Sequence, residues 1–123
     1  MFTTDVYPDQ KVAVHTIEGE LTMLGIFAAM HGLYQRADFK PEFGVVWDLR
    51  DNDLAITMQE IIYLDAKFVE AANANRPGGR VAWVPATRFG GAILETLYAE
   101  HPWTQEWRNF TSLEEALSWA GGG

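Results

Sequence analysis

The 123-residue sequence contains no cysteine. That absence excludes disulfides, zinc–thiolate centres and thiol nucleophiles, and it suits an intracellular protein at least as well as a secreted one. Basic residues are scarce, nine Lys and Arg against seventeen Asp and Glu, for a formal net charge of −8. A chain without a basic face has little with which to displace counterions from DNA or RNA, so nucleic acid is disfavoured as a partner. Anionic membrane surfaces are disfavoured for the same reason. No apolar run approaches the roughly 20 residues needed to cross a bilayer. Met1-Phe2-Thr3-Thr4-Asp5 also lacks the basic region and apolar run of a signal peptide. A soluble, cytoplasmic protein is expected.

Catalytic and cofactor motifs are missing too. Ser112 and Ser118 are the only serines, and neither sits in a Gly-x-Ser-x-Gly elbow. His15, His31 and His101 are far apart, with no His-x-x-x-His spacing. Gly78-Gly79 precedes a strand-like segment and Gly90-Gly91 opens a helical one, but neither forms a nucleotide-binding glycine loop. No cofactor and no metal site are expected.

What the chain does have is core material. Hydrophobic residues make up 48 %, with five Trp, seven Phe and four Tyr. That suffices for one domain over residues 1–120, followed by a frayed Gly121-Gly122-Gly123 tail. Phe2 to Tyr7 and Lys11 to Ile17 read as an N-terminal hairpin around the Pro8-Asp9-Gln10 turn. Thr22 caps a helix whose apolar stripe is Leu24, Phe27, Met30 or His31, and Tyr34. Phe43 to Leu49 is an unbroken apolar run stopped by charge, the pattern of a central strand covered on both faces. After a polar loop, Arg50 to Asp53, Thr57-Met58-Gln59-Glu60 has capping-box spacing. The helix it opens carries Ile61, Leu64 or Asp65, Phe68 and Ala72. Arg80 to Val84 is another buried strand, and Thr87 caps a helix with Phe89, Ile93 and Leu97 inward. A short strand near Gln105 to Phe110 and a helix opened by Ser112 complete the order β-β-α-β-α-β-α-β-α. Strands alternating with helices predict an α/β fold with a four- to five-stranded mixed sheet.

The hairpin ending Glu18-Gly19-Glu20-Leu21-Thr22 and the strand Val45-Val46-Trp47-Asp48-Leu49-Arg50-Asp51 resemble the STAS-like domains. Arg80-Val81-Ala82-Trp83-Val84, Arg88-Phe89-Gly90 and the stretch from Trp107 through Phe110 to Trp119 extend the resemblance over nearly the whole chain. The similarity is to the small stand-alone kind typified by the sporulation anti-anti-sigma factor. It implies helices packed mainly on one face of the sheet, and a role in protein binding or ligand sensing rather than catalysis. In that family a serine near the start of the second helix is phosphorylated to break a partner complex. The corresponding position here is Thr57, within Ala55-Ile56-Thr57-Met58, where the family's Asp-Ser-Ser-Gly is absent.

Thr57 is therefore a candidate phosphoacceptor and, equally, an ordinary helix cap. Asp48, Asp51 and Asp53 follow the central strand, where open α/β sheets bind ligands, and could hold Mg²⁺. That opens an alternative reading as a small metal-dependent enzyme. No lysine follows the later strand at Val84-Pro85-Ala86, so the loop reads better as a solvated turn in which Arg50 offsets charge. Arg88, Trp103 and Trp107 join Asp48, Arg50, Asp51, Asp53 and Thr57 as a candidate partner or ligand surface, since Trp is enriched at binding sites. The expected function is a non-enzymatic module, self-associating as a homodimer, that binds a protein partner or an apolar small molecule.

Overall fold

The computed structural model describes residues 2–122, with the backbone alone at Asp53. Strand β1 (Phe2–Tyr7) pairs antiparallel with β2 (Val12–Ile17). The turn between them needs a left-handed residue, and Lys11 supplies it at φ 56°. From β2 the sheet continues in parallel through β4 (Gly44–Leu49), β6 (Arg80–Pro85) and β7 (Glu106–Asn109). The resulting order, β1-β2-β4-β6-β7, makes a five-stranded mixed sheet with β4 at its centre. All six residues of β4 are buried, as an unbroken apolar run requires.

Alternation along the strands divides the interior into two cores. Ala13, Ile17, Val45, Trp47, Leu49, Val81 and Trp83 face one way, toward four helices. These are α1 (Met23–Tyr34), α2 (Met58–Ile62), α3 (Ala66–Asn75) and α4 (Arg88–Ala99). Val12, Val14, Val46, Ala82 and Val84 face the other way, where α5 (Leu113–Ala120) covers them through Ala116 and Ala120, with Phe110 beside it. Gly44 lets α5 come this close, because a Cβ there would run into the Ala120 carbonyl. Arg80 fixes the end of α5, donating to the Trp119 carbonyl at 2.8 Å with its guanidinium over the Trp119 ring. A cation at a helix C-terminus is stabilising. Gly121 is the C-cap of α5; Gly123 lies outside the described residues.

Several local expectations change. The predicted second helix is two, because the Asp65 carboxylate accepts from the Lys67 N–H at 2.9 Å and caps a fresh helix. In α1 the buried residues are Met23, Ile26, Ala29 and Leu33, one position off the predicted stripe, and Leu24 is 76 % exposed. Nearly every residue of α1 is apolar, so either phase fitted. Phe89 is also outward, because Gly90 and Gly91 bring the α4 backbone itself against Pro85 and Asn109. Finally, the polar loop after β4 contains a strand, β5 (Asn52–Leu54). It pairs in parallel with β3 (Gly19–Leu21), and the Asn52 amide donates to the Gly19 carbonyl at 2.7 Å. No described helix is long and apolar enough to cross a membrane.

Candidate functional site

The predicted surface residues fall into two groups on different levels of the sheet. Asp48, Arg50, Asp51, Thr57 and Arg88 lie at or beyond the carboxyl ends of β4 and β6. Trp107 pairs with Val81, four residues below Pro85 on β6, about 13 Å away at the usual strand rise. Trp103 lies near it, sharing the Tyr98 ring as a neighbour. The structure does not bring these two groups together.

In the upper group Asp48 is already occupied. Arg50 donates from Nε to Oδ1 at 2.8 Å and from Nη2 to Oδ2 at 2.9 Å, a bidentate pair. The Arg50 hydrogen bonds hold the Asp48 carboxyl below its ordinary range against the opposing effect of burial. Asp51 is exposed, and the Asp53 side chain lies outside the described residues; its backbone pairs with Glu20. Among the described residues no group of three His, Asp or Glu stands close enough to hold a metal ion.

Thr57 is the N-cap of α2 in a complete capping box. Its Oγ1 accepts from the Glu60 N–H at 3.1 Å, and the Glu60 carboxylate accepts from both the N–H and the hydroxyl of Thr57. Beside it runs a groove of about 470 Å³ between the β5–α2 segment and α4, floored by Ile56 and Ile93. Met58 and Phe89 line it while remaining 49 % and 74 % exposed. Arg88, exposed at the start of α4, borders an adjacent hollow with Thr87 and Asn109.

The lower group is half-buried, packed against the helix-covered core. Trp107 stacks on Tyr98 with centroids 4.7 Å apart and planes 9° apart. Trp103 donates its indole N–H to the Leu97 carbonyl at 3.0 Å, and Trp83 donates to the Tyr98 hydroxyl at 3.0 Å. Behind these rings, between the sheet and α1, α3 and α4, lies a cavity of about 40 Å³. Its walls are mostly apolar and aromatic, but Arg76, Tyr34, Tyr98 and Gln105 also line it. Arg76 is 3 % exposed and has no ion-pair partner among the described residues. Its Nη2 donates to the carbonyls of Phe43 at 2.8 Å and Arg80 at 3.0 Å, while Nε–H is unmatched. Burial lowers its basicity and raises the Tyr34 and Tyr98 hydroxyls. Sequence reasoning missed Arg76, which sits in the helix-breaking stretch Asn75-Arg76-Pro77-Gly78-Gly79 and reads there as a surface loop residue.

Comparison with solved structures supports the fold. No family model matches the chain, and no curated protein does. Among solved structures, the chain is similar to an uncharacterized DUF3478-family protein of SpoIIAA-like fold from Shewanella loihica PV-4. The TM-score is 0.61 at 16 % identity, covering 98 % of this chain and 92 % of that one. It is also similar to the anti-sigma factor antagonist SpoIIAA in its unphosphorylated form, with TM-score 0.56 at 14 % identity and full coverage of both chains. The protein has the SpoIIAA-like α/β fold, with helices mainly on one face of a five-stranded mixed sheet.

Proposed function

We propose that the protein is a non-enzymatic interaction module that binds a protein partner at the carboxyl end of its sheet. The observation that carries this reading is the groove beside Thr57, where Met58 and Phe89 leave large apolar side chains in solvent. Exposed apolar side chains around a concave floor are what a partner's side chains cover on association. The likeness to an anti-sigma factor antagonist supports a protein as the thing bound. Self-association through the same face is one form this takes.

Thr57 acts here as the structural edge of the groove. A phosphate on its Oγ1 would place a dianion against Glu60 and break the capping box, so modification would act by disrupting the start of α2. The metal-enzyme alternative gains no support, since both Asp48 oxygens are held by Arg50.

A photo-crosslinking residue at position 89, with a control at exposed Glu115 on α5, tests the proposal in the native host. A defined protein adduct at 89 that is absent at 115 and lost on Met58→Glu is expected. Identical adduct patterns at the two positions would refute it.

The internal cavity favours a second reading, binding of a small molecule. Its volume, about 40 Å³, is close to the ~30 Å³ share of one water, so a larger molecule would enter only as the surrounding side chains move.

A further inference from the structure

We infer that two copies of this chain join through their β7 edges, antiparallel about a twofold axis centred on Trp107, so that two five-stranded sheets become one. No residue of the groove beside Thr57 takes part in that pairing. The inference therefore goes beyond the proposed function and stands or falls separately from it.

The sheet ends in two edges, β1 and β7, and they differ. An open edge is a template for another strand, and charged side chains are a common means of blocking it. At β1 the block is present. Arg36 donates from Nη1 to the Thr4 carbonyl at 2.9 Å, and Asp38 fixes the same guanidinium through Nε at 3.0 Å and Nη2 at 2.9 Å. At β7 the Glu106 N–H donates inward to the Gly79 carbonyl at 3.0 Å and the Phe110 N–H to the Trp83 carbonyl at 2.8 Å. Alternate residues of a parallel ladder face the neighbouring strand, so Trp107 and Asn109 turn their N–H and C=O groups outward. Among the described residues no side chain bonds to those groups.

Charge selects the occupant and the register. Outward residues must meet outward residues, so permitted registers of an antiparallel pair differ by two positions. Centring the axis on Glu106 or on Arg108 sets a charge against its own copy, which is destabilising. Centring it on Trp107 sets Glu106 directly across from the second copy's Arg108, twice, at about 4.5 Å between Cα atoms. Both side chains are exposed and lie on the α5 face, since they pair with Arg80 and Ala82 of β6. Arg108 is held over the Trp119 ring at 5.2 Å, while Glu106 is only 3.8 Å from Arg80 and free to turn outward. On the opposite face the half-buried Trp107 rings, each stacked on a Tyr98, come together at the axis and bury apolar surface that one chain leaves in water. The same patch serves both copies, as a twofold interface requires.

Sedimentation velocity of the full chain, from micromolar to near-millimolar concentration in physiological salt that screens its net charge of −8, tests the inference. One strand from each copy is a small interface, so a reversible dimer with micromolar dissociation is expected. Glu106→Arg or Arg108→Glu alone sets like charges across the axis twice and should weaken the dimer about tenfold or more. Mixed in equal amounts, the two variants regain opposite charges at both pairs and should associate as the wild type does. Circular dichroism of each variant separates loss of the dimer from loss of the fold. The chain has no cysteine, so Glu106→Cys chains mixed with Arg108→Cys chains give an independent check and should crosslink under mild oxidation faster than either alone. A wild-type chain that stays monomeric overturns the inference, and so does a dimer that neither charge reversal weakens. Folded monomeric variants that ignore each other, or Arg108→Cys chains that crosslink best among themselves, refute the register.

Discussion

Replacing His15 by phenylalanine isolates one buried titrating group and predicts how stability depends on pH. His15 is completely buried on β2, its ring 4.2 Å from that of Trp47, with Nδ1 bonded to the Thr4 hydroxyl at 2.8 Å and Nε2 unmatched. Burial, and secondarily the Arg76 guanidinium, lower its pKa from 6.5 to about 4. The unfolded chain therefore takes up a proton below about pH 6.5 that the folded protein refuses until about pH 4. Stability from this group is complete above pH 6.5 and is lost as pH falls across that window, levelling off below about 4. The slope approaches about 1.4 kcal/mol per pH unit, and the full loss is about 3 kcal/mol. That is a large share of the 5–15 kcal/mol typical of a domain. Phenylalanine keeps a ring against Trp47 and cannot titrate. Urea unfolding followed by far-ultraviolet circular dichroism, from pH 7.5 to 4.5, measures both proteins. Subtracting the His15→Phe curve removes the carboxylate contributions the two share, and the difference should shrink by 2–3 kcal/mol over that range. Parallel curves would show that His15 protonates without penalty, and the account of its burial would be wrong.

Gly44→Ala places a methyl against the Ala120 carbonyl where α5 meets β4, and should cost about 1–3 kcal/mol as overpacking does. Denaturant unfolding measures it; an unchanged midpoint would mean that α5 sits farther from the sheet than described. Asp48→Asn removes the carboxylate from a pair whose arginine is half-exposed, so a loss of about 1 kcal/mol is expected. Calorimetric titration with Mg²⁺ should give no saturable heat with either protein, and heat seen with the wild type alone would restore the metal reading of the loop.

Much of the architecture was legible because it is written in local patterns. The six buried residues of β4, the hairpin before it and the caps Thr22, Thr57, Thr87 and Ser112 all follow from neighbours within a few positions in the chain. Where the pattern is degenerate, sequence alone does not choose between alternatives. In α1 two phases of a nearly all-apolar helix fitted equally well, and only packing against the sheet selected Met23, Ile26, Ala29 and Leu33. Strands β3 and β5 have three residues each, too few for a period to show, and exist because residues 19–21 and 52–54 meet in space.

The candidate sites divide along the same line. Thr57 and Glu60 are three residues apart, so their capping box is a property of the sequence. Met58 and Phe89 are 31 positions apart, and only the packing of α2 on α4 makes them walls of one groove. The cavity owes still more to tertiary structure. Tyr34, Arg76, Tyr98 and Gln105 come from four separate segments, and none carries a motif. The sequence by itself determined an acidic, cysteine-free α/β chain with its central strand at Val45 to Leu49, because composition, alternation and capping act over short distances. The tertiary structure alone decided that Arg76 is buried with no counter-charge among the described residues, because burial is set by what the rest of the chain folds around it.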